Sequence, residues 1–228
     1  MKKYDYFLFD ADGTLFDFDA AEVSAFAKTF KAYSFVYTEE ILRLYKQINE
    51  KAWADFELGK RSKGEIVTWR FKMLFEKLSL DCDPEIFNDA YLTALGEECQ
   101  LIFGAESMLK RLKAAGKDIY IITNGVFRVQ ESRRKKSTID TFITETFVSE
   151  SIGFQKPDVR FFEHVLSSLP TVDKSNMLVI GDSLTADIKG GNLAGIDTVW
   201  FNPTGVKNHS DAMPTYEVSD LSELERFV

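Results

Sequence analysis

Two kinds of hydrophobic pattern alternate along most of the chain. Short apolar segments rich in aromatic and β-branched residues predict buried strands. Segments with apolar residues at helical spacing separate them, which indicates a parallel sheet with helices on both faces. The clearest strand candidates are residues 4–9, 118–122, 177–180 and 198–201, and weaker ones are residues 147–149 and 216–218.

A second pattern, helical throughout, occupies the chain from Phe18 to about Leu95. Thr38 and Asp83 precede acidic turns there and are typical helix N-caps. We predict a helical bundle over residues 17–96, inserted into a catalytic domain formed by residues 1–16 and 97–228. The expected fold class is therefore α/β: a doubly wound, Rossmann-like parallel sheet with an inserted helical-bundle domain.

Composition narrows the choice of partners. The 228 residues include 45% hydrophobic residues, enough for a sizeable core. A formal net charge of -8 argues against DNA or RNA as the main partner, because binding to a phosphate backbone depends on Lys and Arg. No window approaches the roughly 18 apolar residues of a membrane span. Cys82 and Cys99 lack metal-ligand spacing, so we expect reduced thiols in a cytoplasmic protein.

The first predicted strand ends in two carboxylates, Asp10 and Asp12, followed by Gly13. Strand side chains alternate with period two, so both carboxylates start out on the same side of the chain. Neighbouring carboxylates repel each other unless a cation lies close by. Three interpretations compete: a surface Asp-Gly turn, a calcium loop, and a phosphoryl-transfer site with Asp10 as nucleophile. The calcium loop fails, because it needs a preceding helix and glycine at its sixth position.

Two further strands favour the phosphoryl-transfer site over the turn. Thr123-Asn124 and Asp182-Ser183 follow these strands, and a loop at Gly153–Pro157 carries Lys156. Ligands of doubly wound sheets bind beyond the carboxyl ends of the strands, where these residues would meet. Three carboxylates, a hydroxyl, an amide and an ammonium group there would form a metal site with a phosphate cradle.

Four ordered motifs carry a resemblance to the haloacid dehalogenase superfamily of phosphatases. They are Asp10–Leu15, Ile121–Gly125, Lys156–Asp158 and Gly181–Asp187. The predicted helical insertion resembles the class 1 cap of that superfamily. Residues 10–18, 49–59 and 182–195 are similar to the bacterial noncanonical pyrimidine 5'-nucleotidases.

The resemblance implies a magnesium-dependent phosphomonoesterase that acts through an aspartyl-phosphate. Asp10 would attack phosphorus, a recognised role for a carboxylate. Asp12 would protonate the leaving oxygen and later take a proton from the attacking water. Asp10, the backbone carbonyl of Asp12, and Asp182 would hold Mg²⁺, which suits oxygen ligands.

The remaining motif residues would bind the phosphoryl group or support the site. Lys156 would offset negative charge, and Thr123 with the backbone of Asn124 would hydrogen-bond the phosphoryl oxygens. Asp187 would support the metal or orient Lys156, and Ser183 would assist it. An Asp12 carboxylate also distinguishes a phosphatase or mutase from a haloalkanoic acid dehalogenase, whose family typically lacks one there.

Other polar and aromatic residues receive lesser roles. Phe18 and Trp53 are candidate specificity residues, because cap-to-core contacts of the family lie near such positions. The basic segment Arg133–Lys136 is interpreted as a solvated helix face. His164 and His209 are far apart in sequence, and we expect neither to be catalytic.

The expected substrate is a small phosphorylated metabolite, and (deoxy)pyrimidine nucleoside monophosphates are the leading class. No nucleic acid polymer and no membrane is expected as a partner, and the chain would act as a monomer or homodimer. The alternatives are a sugar-phosphate or phosphoglycolate phosphatase, a phosphomutase, and a catalytically idle regulatory module.

Overall fold

The structure is a computed structural model that describes residues 2–170 and 173–228. The chain divides into two compact units. One contains the chain up to Phe18 together with Cys99–Val228, and the other consists of Asp19–Glu98. Within the described part of the chain, no helix is both long and apolar enough to cross a membrane.

The first unit is built on a six-stranded sheet in which every neighbouring pair is parallel. The strand order β3-β2-β1-β4-β5-β6 places the first strand in the middle, and the chain winds outward from it in both directions. This is the doubly wound sheet that the alternating pattern predicted, which confirms the fold class. The strands are β1 (Tyr6–Phe9), β2 (Asp118–Thr123), β3 (Glu145–Val148), β4 (Met177–Gly181), β5 (Asp197–Phe201) and β6 (Tyr216–Val218).

The second unit consists of helices with an aromatic core. Its helices are α1 (Phe18–Ala32), α2 (Glu39–Glu57), α3 (Lys63–Leu78) and α4 (Pro84–Leu95). Thr38 and Asp83 cap α2 and α4 by accepting backbone N–H groups, as predicted. The Tyr45 ring stacks on Phe26 at 4.4 Å and on Phe71 at 5.4 Å between ring centroids. Aromatic pairs of this kind contribute beyond the area they bury.

Five further α-helices, among the residues that the structure describes, flank the sheet or its loops. They are α5 (Ala105–Ala114), α6 (Phe127–Lys136), α7 (Ser149–Ile152), α8 (Val159–Ser168) and α9 (Lys189–Ala194). Because strand side chains alternate, Phe7 and Phe9 pack in the core cluster that includes α5, whereas Leu8 packs in the cluster that includes α8. Both faces of β1 are thereby buried, so a ligand can approach this strand only at its carboxyl end.

The helical segment that follows β4 begins irregularly. Residues Leu184–Ile188 form a π-helical turn, and the α-helix α9 starts only at Lys189. The backbone N–H of Ile188 donates to the carbonyl of Ser183, five residues earlier, at 3.2 Å. Single π turns of this kind occur mostly at functional sites. Here the wider turn carries Asp187, whose carboxylate accepts the N–H of Ser183 at 3.1 Å.

Candidate active site

The end of β1 is held rigidly where its carboxylates begin. The N–H of Asp10 donates to the carbonyl of Ile180 at 2.8 Å, which continues the pairing with β4 by one residue. The backbone then turns at Gly13, whose φ is +82°. A Cβ at Gly13 would lie 2.5 Å from a carboxylate oxygen of Asp182. Only glycine fits both the left-handed conformation and this close approach.

A buried lysine joins three elements of the site. The Lys156 ammonium donates to Asp10 Oδ1 at 2.6 Å, to Asp187 Oδ1 at 2.6 Å and to the carbonyl of Ile122 at 2.7 Å. An ammonium group has three donors, so its hydrogen-bonding capacity is filled. Lys156 is 1% exposed. Lys156 is therefore not solvated, although it lies in a loop.

The loop that carries Lys156 is fixed to the end of β2 by a reciprocal pair. The Asn124 side-chain amide donates to the carbonyl of Lys156, and its carbonyl accepts the N–H of Lys156, both at 2.9 Å. The buried Thr123 hydroxyl accepts the N–H of Gly125 at 2.9 Å. A hydroxyl that accepts one hydrogen bond can still donate its own proton to a ligand.

The end of β4 contributes two carboxylates. Asp187 is buried and paired with Lys156, whereas Asp182 is exposed and lies 3.4 Å from the hydroxyl of Thr14. A Cβ at Gly181 would lie 2.2 Å from the Asp187 carboxyl carbon, so a larger residue would displace that carboxylate. The Ser183 hydroxyl accepts the N–H of Ala186 at 3.1 Å, which caps the π turn.

Burial and like charge act together on the acidic groups. Burial raises the pKa of Asp10 well above its ordinary value, against the opposing effect of Lys156. Although Asp182 keeps an exposed face, loss of surrounding water and the nearby Asp187 raise its pKa to about 7. Burial disfavours the charged form of Lys156, but the carboxylates of Asp10 and Asp187 outweigh it and raise the pKa above its ordinary value.

These groups fit a divalent cation. Asp10, Asp182 and Asp187 each offer a carboxylate oxygen, and the three oxygens lie within 4.8 Å of one another. Three carboxylates against the single ammonium of Lys156 leave two uncompensated negative charges when all are ionised. An all-oxygen donor set that shares its ligands with substrate phosphate and water is typical of Mg²⁺.

Asp12 does not turn its carboxylate into this cluster. Instead it accepts hydrogen bonds from two side chains of α6, Arg133 and Gln130. A metal contact from Asp12 would therefore have to come from its backbone carbonyl.

The interpretation of Arg133–Lys136 as a solvated face is consequently wrong for Arg133. Its side chain is 0% exposed, and only the remainder of the segment lies at the surface. Sequence reasoning missed Gln130 and Arg133 as site residues. One signal was present, because residues three apart on a helix share a face, and the helix starts directly after the Thr123–Gly125 motif.

The other candidates lie elsewhere. Trp53 is half-buried on α2 and packs edge-on against the ring of Phe56 at 5.6 Å between centroids. Phe18 is half-buried at the first position of α1. Specificity roles for both stay predictions. His164 and His209 are exposed, and His164 lies on α8.

The parallel sheet, with polar residues gathered beyond the ends of β1, β2 and β4, defines a doubly wound α/β protein whose ligand site lies at that edge. Comparison with known proteins identifies the kind of enzyme. Residues 4–195 match the family of haloacid dehalogenase-like hydrolases. The chain belongs to that family and is a hydrolase, which confirms the resemblance carried by the four motifs.

Relatives match over nearly the whole chain. The HAD-hydrolase YfnB of Bacillus subtilis (strain 168) is 41% identical over 224 residues, covering 98% of this chain and 95% of YfnB. The crystal structure of YfnB bound to magnesium has a TM-score of 0.94 at 40% identity, covering 99% of this chain and 98% of that one.

Two relatives are named pyrimidine 5'-nucleotidases. PynA of Streptococcus pneumoniae (strain ATCC BAA-255 / R6) is 39% identical, covering 97% of this chain and 93% of PynA. YjjG of Escherichia coli (strain K12) is 32% identical, covering 99% of this chain and 98% of YjjG.

Proposed function

We propose that this chain is a magnesium-dependent phosphomonoesterase that hydrolyses (deoxy)pyrimidine nucleoside 5'-monophosphates. The observation that carries the proposal is the buried Lys156 ammonium, which connects Asp10 to Asp187 and to the end of β2. A cation in this place can receive the negative charge of a phosphoryl group beside an anionic nucleophile. The nucleotide class rests on the likeness to PynA and YjjG over nearly the whole chain.

The reaction would proceed in two displacements. One carboxylate oxygen of Asp10 forms a bond to phosphorus, the bond from phosphorus to the leaving oxygen breaks, and Asp12 gives that oxygen a proton. Water then forms a bond to phosphorus as Asp12 takes back a proton, the bond to Asp10 breaks, and inorganic phosphate leaves. Both carboxylates are thereby returned to their starting states.

The other residues would hold the phosphoryl group in line. Lys156, which contacts Asp10, and the Thr123 hydroxyl at the end of β2 would bind phosphoryl oxygens, and the backbone N–H of Asn124 would add a donor. Asp10, the backbone carbonyl of Asp12 and Asp182 would hold Mg²⁺, and Asp187 would hold Lys156 in place. Bound Mg²⁺ would supply electrostatic stabilisation of the charge on the transferring phosphoryl group.

We also propose a division of labour along the chain. Residues 1–16 and 97–228 would form the catalytic domain, and residues 17–96 would form an inserted helical cap. Phe18 and Trp53 remain the candidates for base recognition. Trp53→Ala is predicted to lower the preference for nucleotides over other phosphomonoesters.

The function is tested by phosphate release across a substrate panel, with Mg²⁺ and with a chelator. The panel contains deoxyuridine, thymidine, adenosine and guanosine 5'-monophosphates, phosphoglycolate and hexose phosphates. We expect Mg²⁺-dependent release, fastest from the pyrimidine nucleotides. Release confined to phosphoglycolate or hexose phosphates would contradict the nucleotide assignment, and hexose-phosphate isomerisation without release would indicate a mutase.

The nucleophile is tested in the same assay with Asp10→Asn. An amide cannot form the acyl-phosphate, so we expect release to fall more than about 10⁴-fold, beyond the loss of acid catalysis alone. The matched control is Asp211→Asn, which removes an exposed carboxylate paired with Lys189 and should leave release unchanged. Substantial activity in Asp10→Asn would remove Asp10 from the mechanism.

A further inference from the structure

The carboxylate of Asp12 is held from both sides by one helix. Arg133 Nη1 donates to its Oδ1, and Gln130 Nε2 donates to its Oδ2. The two donors lie three residues apart on α6, so they share a face of that helix. Asp12 itself keeps about a quarter of its side chain exposed, so a ligand can still reach it.

The Arg133 side chain is enclosed by the same turn that carries Asp12. Its guanidinium lies 4.6 Å from the centre of the Phe16 ring, and both side chains are fully buried. Phe16 in turn is fixed to this turn, because its N–H donates to the carbonyl of Ala11 at 2.8 Å and its carbonyl accepts the N–H of Gly13 at 2.9 Å. A charge this deeply buried is costly unless it is paired in a defined geometry. The ion pair with Asp12 offsets this cost for Arg133 and ties the two side chains together.

Gln130 reaches Asp12 through space that a glycine leaves open. A Cβ placed at Gly125 would lie 2.2 Å from the Gln130 side-chain nitrogen. Gly125 belongs to the Thr123–Gly125 motif at the end of β2, where the phosphoryl group is proposed to bind. Gln130 is 3% exposed, so its side-chain amide is largely shielded from solvent. The motif glycine therefore serves the contact between α6 and Asp12.

We infer that Gln130 and Arg133 are positioning residues that aim the Asp12 carboxyl at the leaving oxygen of the substrate. The inference rests on the proposed function, since it needs a phosphomonoester with a leaving group to protonate. An aspartate side chain samples several rotamers when unrestrained. Proton transfer requires hydrogen-bond reach in one of them. Each carboxylate oxygen keeps a second lone pair while it accepts from α6, so the held carboxyl can still carry a proton.

A positioning role and a merely structural role differ in how they depend on the leaving group. 4-Nitrophenol is a much stronger acid than phenol, so 4-nitrophenolate departs with little need of a proton. Phenyl phosphate has nearly the same shape but needs more help from the acid. Loss of stability or of phosphate binding lowers the kcat/KM of both substrates alike. Loss of orientation at Asp12 lowers kcat/KM for phenyl phosphate much more than kcat/KM for 4-nitrophenyl phosphate.

The test measures kcat/KM of the magnesium-loaded full chain for phenyl phosphate and 4-nitrophenyl phosphate. This parameter reports steps up to departure of the leaving group, which excludes the later hydrolysis of the intermediate. We expect Gln130→Met to lower kcat/KM about 10- to 100-fold for phenyl phosphate, a partial loss of the roughly 10²- to 10⁴-fold that acid catalysis contributes. The value for 4-nitrophenyl phosphate should change by less than about threefold, since its departure needs little acid catalysis. Arg133→Met should act in the same direction.

Matched variants make the outcomes distinguishable. Gln47→Met and Arg128→Met replace exposed side chains, the second on α6 itself, and should leave kcat/KM unchanged for both substrates. Asp12→Asn provides the benchmark for a selective loss. The inference would be overturned, with the proposed function intact, if Asp12→Asn lost kcat/KM selectively for phenyl phosphate while Gln130→Met did not. In that case Gln130→Met would lower kcat/KM equally for both substrates, or for neither. A wild-type chain that releases no phosphate from these substrates or from the nucleotides would overturn both. If Arg133→Met does not fold, Gln130→Met decides.

Discussion

Lys156 shows at the scale of a single residue why order and spacing matter more than residue type. An isolated lysine beside Pro157 is most simply a surface residue. Carboxylates and other polar groups at three strand ends were predicted to lie near Lys156. In the structure Lys156 is buried between Asp10 and Asp187. Motif spacing along the chain was sufficient for this prediction, since the parallel topology fixes which strand ends are neighbours.

Removing the Lys156 charge should destabilise the first unit. In Lys156→Met, the carboxylates of Asp10 and Asp187 stay buried without their cation, which costs about 3–5 kcal/mol in the free energy of unfolding. The deficit should shrink as pH falls, because burial raises the pKa of Asp10 and acid neutralises its carboxylate. Urea unfolding at several pH values measures both effects. The control Lys189→Met removes a surface ion pair and should cost at most about 1 kcal/mol. A Lys156→Met deficit no larger than that of the control would contradict the account.

Gln130 and Arg133 mark the opposite case, in which residue-level prediction failed. Their chemistry is visible in the sequence, but the direction in which they point depends on how α6 rotates against the turn at Asp12. Val129 of α6 is buried, and the Arg133 guanidinium lies over the ring of Phe16, which is distant in sequence. A run of four basic residues is a solvated face by default, and here three-dimensional packing overrode the default at one position.

At the scale of elements, the hydrophobic pattern predicted the six strands and the helical segment after β1, and two caps predicted where α2 and α4 begin. The π turn at Leu184–Ile188 was not predictable in this way. The Asp187 carboxylate on this turn accepts hydrogen bonds from Lys156, which is distant in sequence, and from the N–H of Ser183, which caps the turn. Local pattern therefore determined the elements, whereas the site determined their irregularities.

The helical unit contains a polar network that its amphipathic pattern did not reveal. Arg70 is 2% exposed and donates to Asn49 at 2.9 Å and to Asn88 at 3.1 Å. Asn49 donates to Glu22 at 2.6 Å. Buried networks that satisfy their members fix one arrangement of the surrounding helices. The network thus sets how α1 to α4 pack, beside the aromatic core.

This network makes the stability of the helical unit depend on pH. Burial raises the pKa of Glu22 above its ordinary value of 4.5, even though Lys46 and Arg70 oppose the shift. At a pH between these two pKa values, Glu22 therefore keeps its proton in the native state, whereas it has lost that proton in the unfolded chain. Its stability should fall as pH rises from about 4.5 to the higher native pKa. Glu22→Gln keeps the acceptor for Asn49 and should lack this fall.

Denaturant unfolding of wild type and Glu22→Gln across acidic pH checks the sign. The difference between the two free energies of unfolding should change in favour of the variant as pH rises. Parallel pH profiles would show that Glu22 has the same proton affinity in the folded and unfolded states.

For the whole molecule, the parallel sheet and the family together account for what the chain can do. A net charge of -8 disfavours polyanions, and the buried ammonium beside Asp10 would offset part of the charge of a small phosphorylated ligand. The sheet topology brings the ends of β1, β2 and β4 together because these strands are neighbours in the order β2-β1-β4. Substrate choice depends on shape and contacts that strand patterns do not encode, so the sequence predicted the chemistry more sharply than the substrate.

The central claim is that Asp10 becomes covalently phosphorylated during turnover. The most direct measurement is acid quenching of the magnesium-loaded chain during turnover of deoxyuridine 5'-monophosphate, followed by borohydride reduction and peptide mass spectrometry. Borohydride converts an aspartyl-phosphate to homoserine, so the account predicts homoserine at position 10 only when substrate and Mg²⁺ are both present. An unmodified Asp10 under conditions that release phosphate and trap an acyl-phosphate on another residue would contradict it.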